Sequence, residues 1–199
     1  HDPPVDLGRV RVVAVVRRPT GIAGGRLAEV VADFGALGSV EVPRVTTAFC
    51  ALGTTIAKAG SEAAFRAVDV DAVLAFARLA RRAGATRFLL VSALGADPRS
   101  RVFYNRVKGE AEEAVKGLGF EGVALFRPSL LVGERSESRP AERAAIVATS
   151  LVSWAMAGPL ARWKPVPVAS VATAMLAVAG GALSGVRVVE NEEIHALAG

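Results

Sequence analysis

At 199 residues, 52% hydrophobic and 22% charged, the chain has enough apolar mass for one domain with a substantial core, and its composition is not that of a disordered protein. A single cysteine, Cys50, excludes an internal disulfide. The two histidines, His1 and His195, stand at the termini and supply neither a zinc-ligand set nor a histidine-based triad, so no metal is expected. The formal charge of +5 comes from Lys and Arg spread along the chain, and aromatics, at 6%, do not interleave with them, which argues against nucleic acid as a partner.

No apolar run reaches the roughly 18 residues needed to cross a bilayer, and no stretch reads as a signal peptide. The expectation is a cytoplasmic protein with no membrane partner. The first residue, His1, is not an initiator methionine, and residues 1–7 read as a loop around a Pro-Pro pair. Val10 to Val16 is a continuous, largely β-branched run, as expected of a strand buried on both faces of a parallel sheet. It ends in Arg17-Arg18-Pro19. A doubly wound sheet places the group that reads an adenosine ribose at such a strand end, and a cation there suits a 2′-phosphate.

Leu27 to Phe34 reads as a short second strand, with Asp33 either facing an adenine or capping the next turn. Between Phe34 and Val45 the sequence supports only a short or irregular helix. Thr46 to Leu52 is a third strand, holding Cys50 as a small buried residue, and it runs into Gly53-Thr54-Thr55, the kind of turn that meets ligands at the carboxyl end of a sheet. Asp69 to Arg82 shows apolar residues at helical spacing with Gly84 just past its end. Phe88 to Val91 is the next strand and delivers Ser92.

Tyr104, the sole tyrosine, and Lys108 then stand four apart at the head of a helix running to Leu118, and so share one face. A carbonyl being reduced needs a proton on its oxygen. A tyrosine, ordinarily near pKa 10, supplies it near neutral pH when a lysine lies beside it, while Ser92 holds the same oxygen. The face of this helix bearing Glu110, Glu112, Glu113 and Lys116 reads as exposed. Val123 to Phe126 is a further strand ending in Arg127-Pro128-Ser129. After Gly133 the pattern changes to a long apolar helix from about Ala141 to Met156. Trp154 and Trp163 there suit a lid or, equally, a core. An Ala/Val-rich helix to about Ala179, a strand Val186 to Glu190 and a terminal turn Glu192 to Leu197 complete the chain. Strands alternating with helices at this spacing call for an α/β fold, a doubly wound parallel sheet with helices on both faces.

Ser92, Tyr104-x-x-x-Lys108, Leu52-Gly53-Thr54-Thr55, Arg127-Pro128 and Glu137-Ser-Arg139-Pro140 together resemble the short-chain dehydrogenase/reductase superfamily. More narrowly, the runs Cys50 to Gly60, Val91 to Asp97 and Phe126 to Ser129 resemble its atypical branch of bacterial NAD(P)H-binding oxidoreductases and the human Tat-interacting protein. The resemblance covers Val10 to Leu197. It implies a single Rossmann-like domain over residues 1–199 that binds NADP(H) in preference to NAD(H), with residues 133–165 covering a small-molecule substrate. Arg17 and Arg18 would hold the adenosine phosphate, Asp33 and Phe34 would lie near the adenine, and Leu52, Gly53 and Thr54 would run under the cofactor. Pro128 and Ser129 would lie beside the nicotinamide. Ser92, Tyr104 and Lys108 would form the catalytic group, Lys108 also holding the nicotinamide ribose. The alternative on the same fold is a cofactor-binding sensor or protein-interaction module without turnover, and only that reading leaves room for a protein partner. A sugar-nucleotide epimerase fits less well, because the region after Gly133 is short for the larger substrate domain such enzymes carry.

One departure from the family pattern is large. The opening strand and Gly-x-x-Gly-x-x-Gly turn that cradle a pyrophosphate have no counterpart, since Gly21-Ile-Ala-Gly24-Gly25 follows the arginine strand and has the wrong spacing. The expectation is a strand-turn-helix unit of roughly 25 to 30 residues missing from the start of the chain. Without it, the strands Val10 to Val16 and Thr46 to Leu52 each present an unpaired edge.

Overall fold

The computed structural model describes residues 10–22, 24–132 and 162–199. Among the described residues there are eight strands, β1 Val12–Val16, β2 Leu27–Val31, β3 Thr47–Cys50, β4 Arg87–Val91, β5 Gly122–Arg127, β6 Leu131–Val132, β7 Val166–Pro167 and β8 Gly185–Glu190, with helices between β3 and β4, between β4 and β5, and between β7 and β8. The helices are α1 Ile56–Ala59, α2 Glu62–Arg66, α3 Val73–Arg82, α4 Phe103–Lys116, α5 Val168–Gly180 and α6 Asn191–Ala198. Every strand pair is parallel, in the orders β1-β2, β3-β4-β5-β8 and β6-β7.

Parallel strands covered by helices on both faces read as unbroken apolar runs, because successive side chains point to opposite sides and both sides are buried. The two central strands follow this rule. Phe88 and Leu90 of β4 with Val123 and Leu125 of β5 pack with Val73, Ala77 and Ala80 of α3 and Val115 of α4. Leu89, Ala124 and Phe126 point the other way, onto Val171, Ala174, Met175 and Val178 of α5 and Ile194 of α6. The expected α/β sheet with helices on both faces is therefore the observed one.

β1 departs from the expectation of a strand buried on both faces. It is paired in register with β2, from Val12 opposite Leu27 to Val16 opposite Val31, yet Val12 is 50% exposed and the rest of the strand is half-buried. Among the described residues nothing pairs with its other edge, nor with the edge of β3 that faces away from β4. A strand paired along one edge only has less flanking cover. The segment between β2 and β3 is a 3-10 turn, Phe34–Ser39, whose Leu37 is fully buried and whose carbonyl accepts a hydrogen bond from Arg82 Nη2 of α3 at 2.8 Å.

The helix expected from Asp69 is longer and less regular. Ser61 caps α2 by accepting from the Ala64 N–H, and the helix continues through a π-helical stretch, Ala67–Ala72, into α3. Two of the faces divide at that stretch: Phe65 and Val70 pack on Val107 and Ala111 of α4, whereas Val73, Ala77 and Ala80 pack on the sheet. The long helix expected from Ala141 to Met156 lies outside the described residues.

Candidate active site

Because all the strands are parallel, the turns following β3, β4 and β5 emerge at one edge of the sheet, where open α/β folds bind their ligands. Leu52-Gly53-Thr54 follows β3, Ser92 follows β4 and Pro128-Ser129 follows β5. The Ser92 N–H donates to Phe126 O at 2.7 Å and the Leu94 N–H to Pro128 O at 2.9 Å, so the β4 and β5 turns are stitched together. Ser92 itself is 6% exposed, and its Oγ has no hydrogen-bond partner among the described residues. A buried hydroxyl without a partner is rare and marks a place for a ligand atom or water.

Helix α4 brings Tyr104 and Lys108 to this edge. The Tyr104 ring packs at 5.6 Å on Phe65 of α2, and the Lys108 ammonium lies 6.0 Å from its centroid. Lys108 is 7% exposed and forms an ion pair at 2.7 Å with Asp69 Oδ1. The other carboxylate oxygen of Asp69 accepts the Thr54 N–H at 2.9 Å. Gly53 completes the cluster, since a Cβ there would stand 3.2 Å from Asp69 Oδ1 and 3.3 Å from Lys108 Nζ. Gly53, Thr54, Tyr104 and Lys108 are thus brought together, and Asp69 joins them unannounced by the sequence. Its one signal was a second aspartate, beside Asp71, at the head of an apolar helix.

Pro128 is buried and Ser129 is turned into the protein. Its Oγ donates to Lys164 O at 2.5 Å and its N–H to Asn191 Oδ1 at 2.8 Å, while Asn191 Nδ2 also reaches Lys164 O at 2.8 Å. Asn191, fully buried, therefore anchors this strand end. Arg127 does the same from the side. Its Nε and Nη2 fork onto Glu112 of α4 at 3.0 and 2.6 Å, and Nη1 reaches Glu190 of β8 at 3.2 Å. The hydrogen-bonded Glu112 carboxylate drives the guanidinium further up from its already high ordinary pKa. Glu112, expected on the exposed face of α4, is 1% exposed because Arg127 supplies its charge partner.

The remaining expected site residues belong to the β1-β2 sheet. Arg17 and Arg18 are exposed and form no ion pair among the described residues. The loop after them is held by Thr20, which donates to the Glu29 carboxylate. Asp33 caps the 3-10 turn, its Oδ1 accepting the Gly35 N–H at 3.0 Å, and Phe34 begins that turn half-buried. Neither makes a contact with the Ser92 to Lys108 group. No cluster of His, Cys, Asp or Glu suited to a metal occurs among the described residues.

Comparison with known proteins gives relatives by sequence and by shape. The chain is 50% identical over 95 residues to the mitochondrial protein fmp52 of Emericella nidulans, covering 48% of this chain and 41% of that protein. It is 36% identical over 151 residues to FMP52 of Coccidioides immitis, 76% of this chain and 61% of that one. It is 48% identical over 94 residues to rat HTATIP2, 47% of this chain and 38% of that one. The matched stretch thus spans between 38% and 61% of the length of these relatives. No protein-family model matches the chain.

Among solved structures, MoeE5 with UDP-glucuronic acid and NAD superposes with a TM-score of 0.65 at 19% identity, over 91% of this chain and 68% of that one. UDP-glucose 4-epimerase of Thermotoga maritima gives 0.63 at 14% identity over 92% and 70%, and RMD of Pseudomonas aeruginosa with NADPH 0.60 at 16% over 90% and 77%. The chain has the Rossmann-like fold of these nucleotide-binding proteins. Its relatives by sequence are fungal and mammalian, where the resemblance had pointed first to bacterial oxidoreductases.

The expectation of a cytoplasmic protein is overturned by the same comparison, because the fungal relatives are named as mitochondrial proteins. A single buried cysteine fits any compartment that keeps thiols reduced, so composition carried no information on this point. No helix among the described residues is long and apolar enough to cross a membrane.

Proposed function

We propose that the protein is an oxidoreductase that uses NADP(H) to reduce or oxidise a small carbonyl or hydroxyl substrate, with Ser92, Tyr104 and Lys108 as its catalytic group. The observation that carries this reading is the buried, unpartnered Ser92 Oγ at the strand edge served by α4, the helix that carries Tyr104 and Lys108. The Ser92 hydroxyl is free to hold a substrate oxygen.

The residues present fit the cofactor in part. Arg17 and Arg18 offer exposed cations for an adenosine phosphate, Asp33 and Phe34 would border the adenine, and Leu52, Gly53 and Thr54 offer a turn with little side-chain bulk beneath a dinucleotide. Pro128 and Ser129 form a fixed wall at the β5 end; the expected substrate cover, residues 133–165, lies for the most part outside the described residues. When bound, NADP(H) supplies or accepts the hydride. The protein's own residues manage the oxygen. Ser92 Oγ donates a hydrogen bond to the substrate oxygen, and Tyr104 delivers its phenolic proton to that oxygen in reduction or withdraws it in oxidation. The ammonium of Lys108, fixed beside the ring, favours the phenolate left after proton transfer.

Tyr104→Phe in the full-length protein tests this directly. NADPH binding, followed by fluorescence, should be unchanged, and turnover against a carbonyl panel should fall by at least about a hundredfold, the lower range for loss of a general acid. Turnover that survives the substitution removes Tyr104 from the role. A sensor of cofactor without turnover, the second reading, would bind NADPH and consume none of it in either form.

A further inference from the structure

We infer that Thr20 and Glu29 are positioning residues for the reading of an adenosine 2′-phosphate: together they latch the loop that carries Arg17 and Arg18 and so hold those two cations ready at the end of β1. The inference rests on the role proposed for the two arginines and goes beyond it. It starts from how little chain the loop has. Val16 is fixed by its pairing with Val31, and its carbonyl accepts the Ala32 N–H at 2.9 Å. Four residues later Thr20 is fixed again, on the middle of β2. Its N–H lies 3.3 Å from each oxygen of the Glu29 carboxylate, and its hydroxyl donates to one of them. Arg17, Arg18 and Pro19 alone span the two anchors.

The span is stiff as well as short. The ring of Pro19 fixes its own φ and turns Arg18 away from the helical region towards an extended one. Beyond the latch, the Ile22 N–H donates back to Thr20 Oγ at 3.2 Å, and Gly21 takes a φ of +73°, which lets the chain reverse there. Thr20 Oγ therefore donates to Glu29 and accepts from Ile22, two roles that a hydroxyl fills at once. Ala14, the smallest residue of β1, stands opposite Glu29 in the register and leaves its side chain room to reach the loop. Arg17 and Arg18 are exposed on this short bridge. Cations on a loose loop must be ordered by the phosphate that binds them, which lowers its affinity; a latched loop removes that cost. Glu29 acts through Thr20 and not as a ligand, because an ionised carboxylate has no proton to donate to a phosphate and repels its charge.

The test uses the full-length protein and compares, by calorimetry, the binding of adenosine 2′,5′-bisphosphate with that of adenosine 5′-monophosphate, two probes that differ only in the 2′-phosphate. Thr20→Val removes the hydroxyl and leaves the backbone bond, Glu29→Ala removes the whole latch, and Thr20→Ser keeps the hydroxyl. Thr20→Val and Glu29→Ala should each weaken the bisphosphate about tenfold and leave the monophosphate unchanged. The double variant should be no weaker than Glu29→Ala alone, because the two residues act as one latch, and Thr20→Ser should bind like the unmodified protein. Equal weakening of both probes would mean that the latch only supports the small sheet. Unchanged binding would mean that it does nothing for the arginines, and tighter binding of the bisphosphate by Glu29→Ala that the carboxylate opposes the phosphate. Each of these would overturn the proposal and leave the reading of Arg17 and Arg18 in place. An unmodified protein that binds the two probes equally would overturn that reading, and the proposal with it. Should Glu29→Ala not fold, Thr20→Val and Thr20→Ser, which keep the charge and the backbone bond, decide between the same outcomes.

Discussion

Cys50 closes β3 with 1% of its surface exposed, and burial pushes its thiol up from 9.0 to about 11. The direction has a consequence for stability. Between these values the folded protein keeps the thiol proton while the unfolded chain loses it, so the unfolded state binds fewer protons and stability falls as pH rises. Below pH 9 the contribution is fully present; by pH 11 it has cost about 2–3 kcal/mol. Urea unfolding across this range should show that decline, and Cys50→Ala should flatten it. At the same scale lie the residues hardest to read in advance. Glu112 and Asn191 are polar letters in amphipathic stretches, and only the arrival of Arg127 from β5 and of Ser129 from the following turn turns them inward. Their partners are distant in sequence, so no local pattern marks them. Tyr104 and Lys108 were legible because both sit on one helix and their spacing alone aligns them.

Helix α4 is fixed along its length by close contact with the loop before it. At Gly109 an added Cβ would lie 2.3 Å from both Asp97 C and Pro98 N, which are backbone atoms with no room to yield. Alanine in a helix is ordinarily about 1 kcal/mol better than glycine. Here the clash should win, and Gly109→Ala is expected to destabilise the protein by about 1–3 kcal/mol, as forced overpacking does, measured as a lowered urea midpoint. The element also shows where sequence periodicity stops being a guide. The stretch Glu62 to Arg82 was read from Asp69 onward as one regular helix, since its apolar letters fit a single stripe. The π-helical turn breaks that stripe and divides the helix between α4 and the sheet. Periodicity averages over a whole window and is blind to one extra residue per turn.

At the scale of the molecule, the alternation of strands and helices made the layered fold legible, since a parallel sheet needs a crossover between each pair of strands. Among the described residues one edge of β1 and one of β3 are unpaired, and the weak burial of β1 follows only once its neighbours are counted. The expected cofactor residues fall on two of the sheets: Arg17 and Arg18 after β1, Gly53 and Thr54 after β3. A dinucleotide held by both groups would join them. NADPH should therefore raise the melting temperature of the full-length protein, by the equivalent of about 2.7 kcal/mol at a hundred times its dissociation constant, and NADH should raise it less. Equal shifts would take Arg17 and Arg18 out of the account.

Gly84, Gly119 and Gly185 take φ values of +93°, +75° and +68°, and each stands at or just before the start of a strand, β4, β5 and β8. These three reversals lie at the end of the sheet opposite Ser92, Thr54 and Lys108, whereas Gly60 and Gly95, also at positive φ, follow β3 and β4 at the same end as that group. The opposite end is where the chain can be handled: the surroundings of Gly119 hold no heavy atom within 4 Å of an added Cβ. A dye or an immobilising tag placed in the turn after α4 would sit a full strand length from the chemistry, and would report on the protein without entering it.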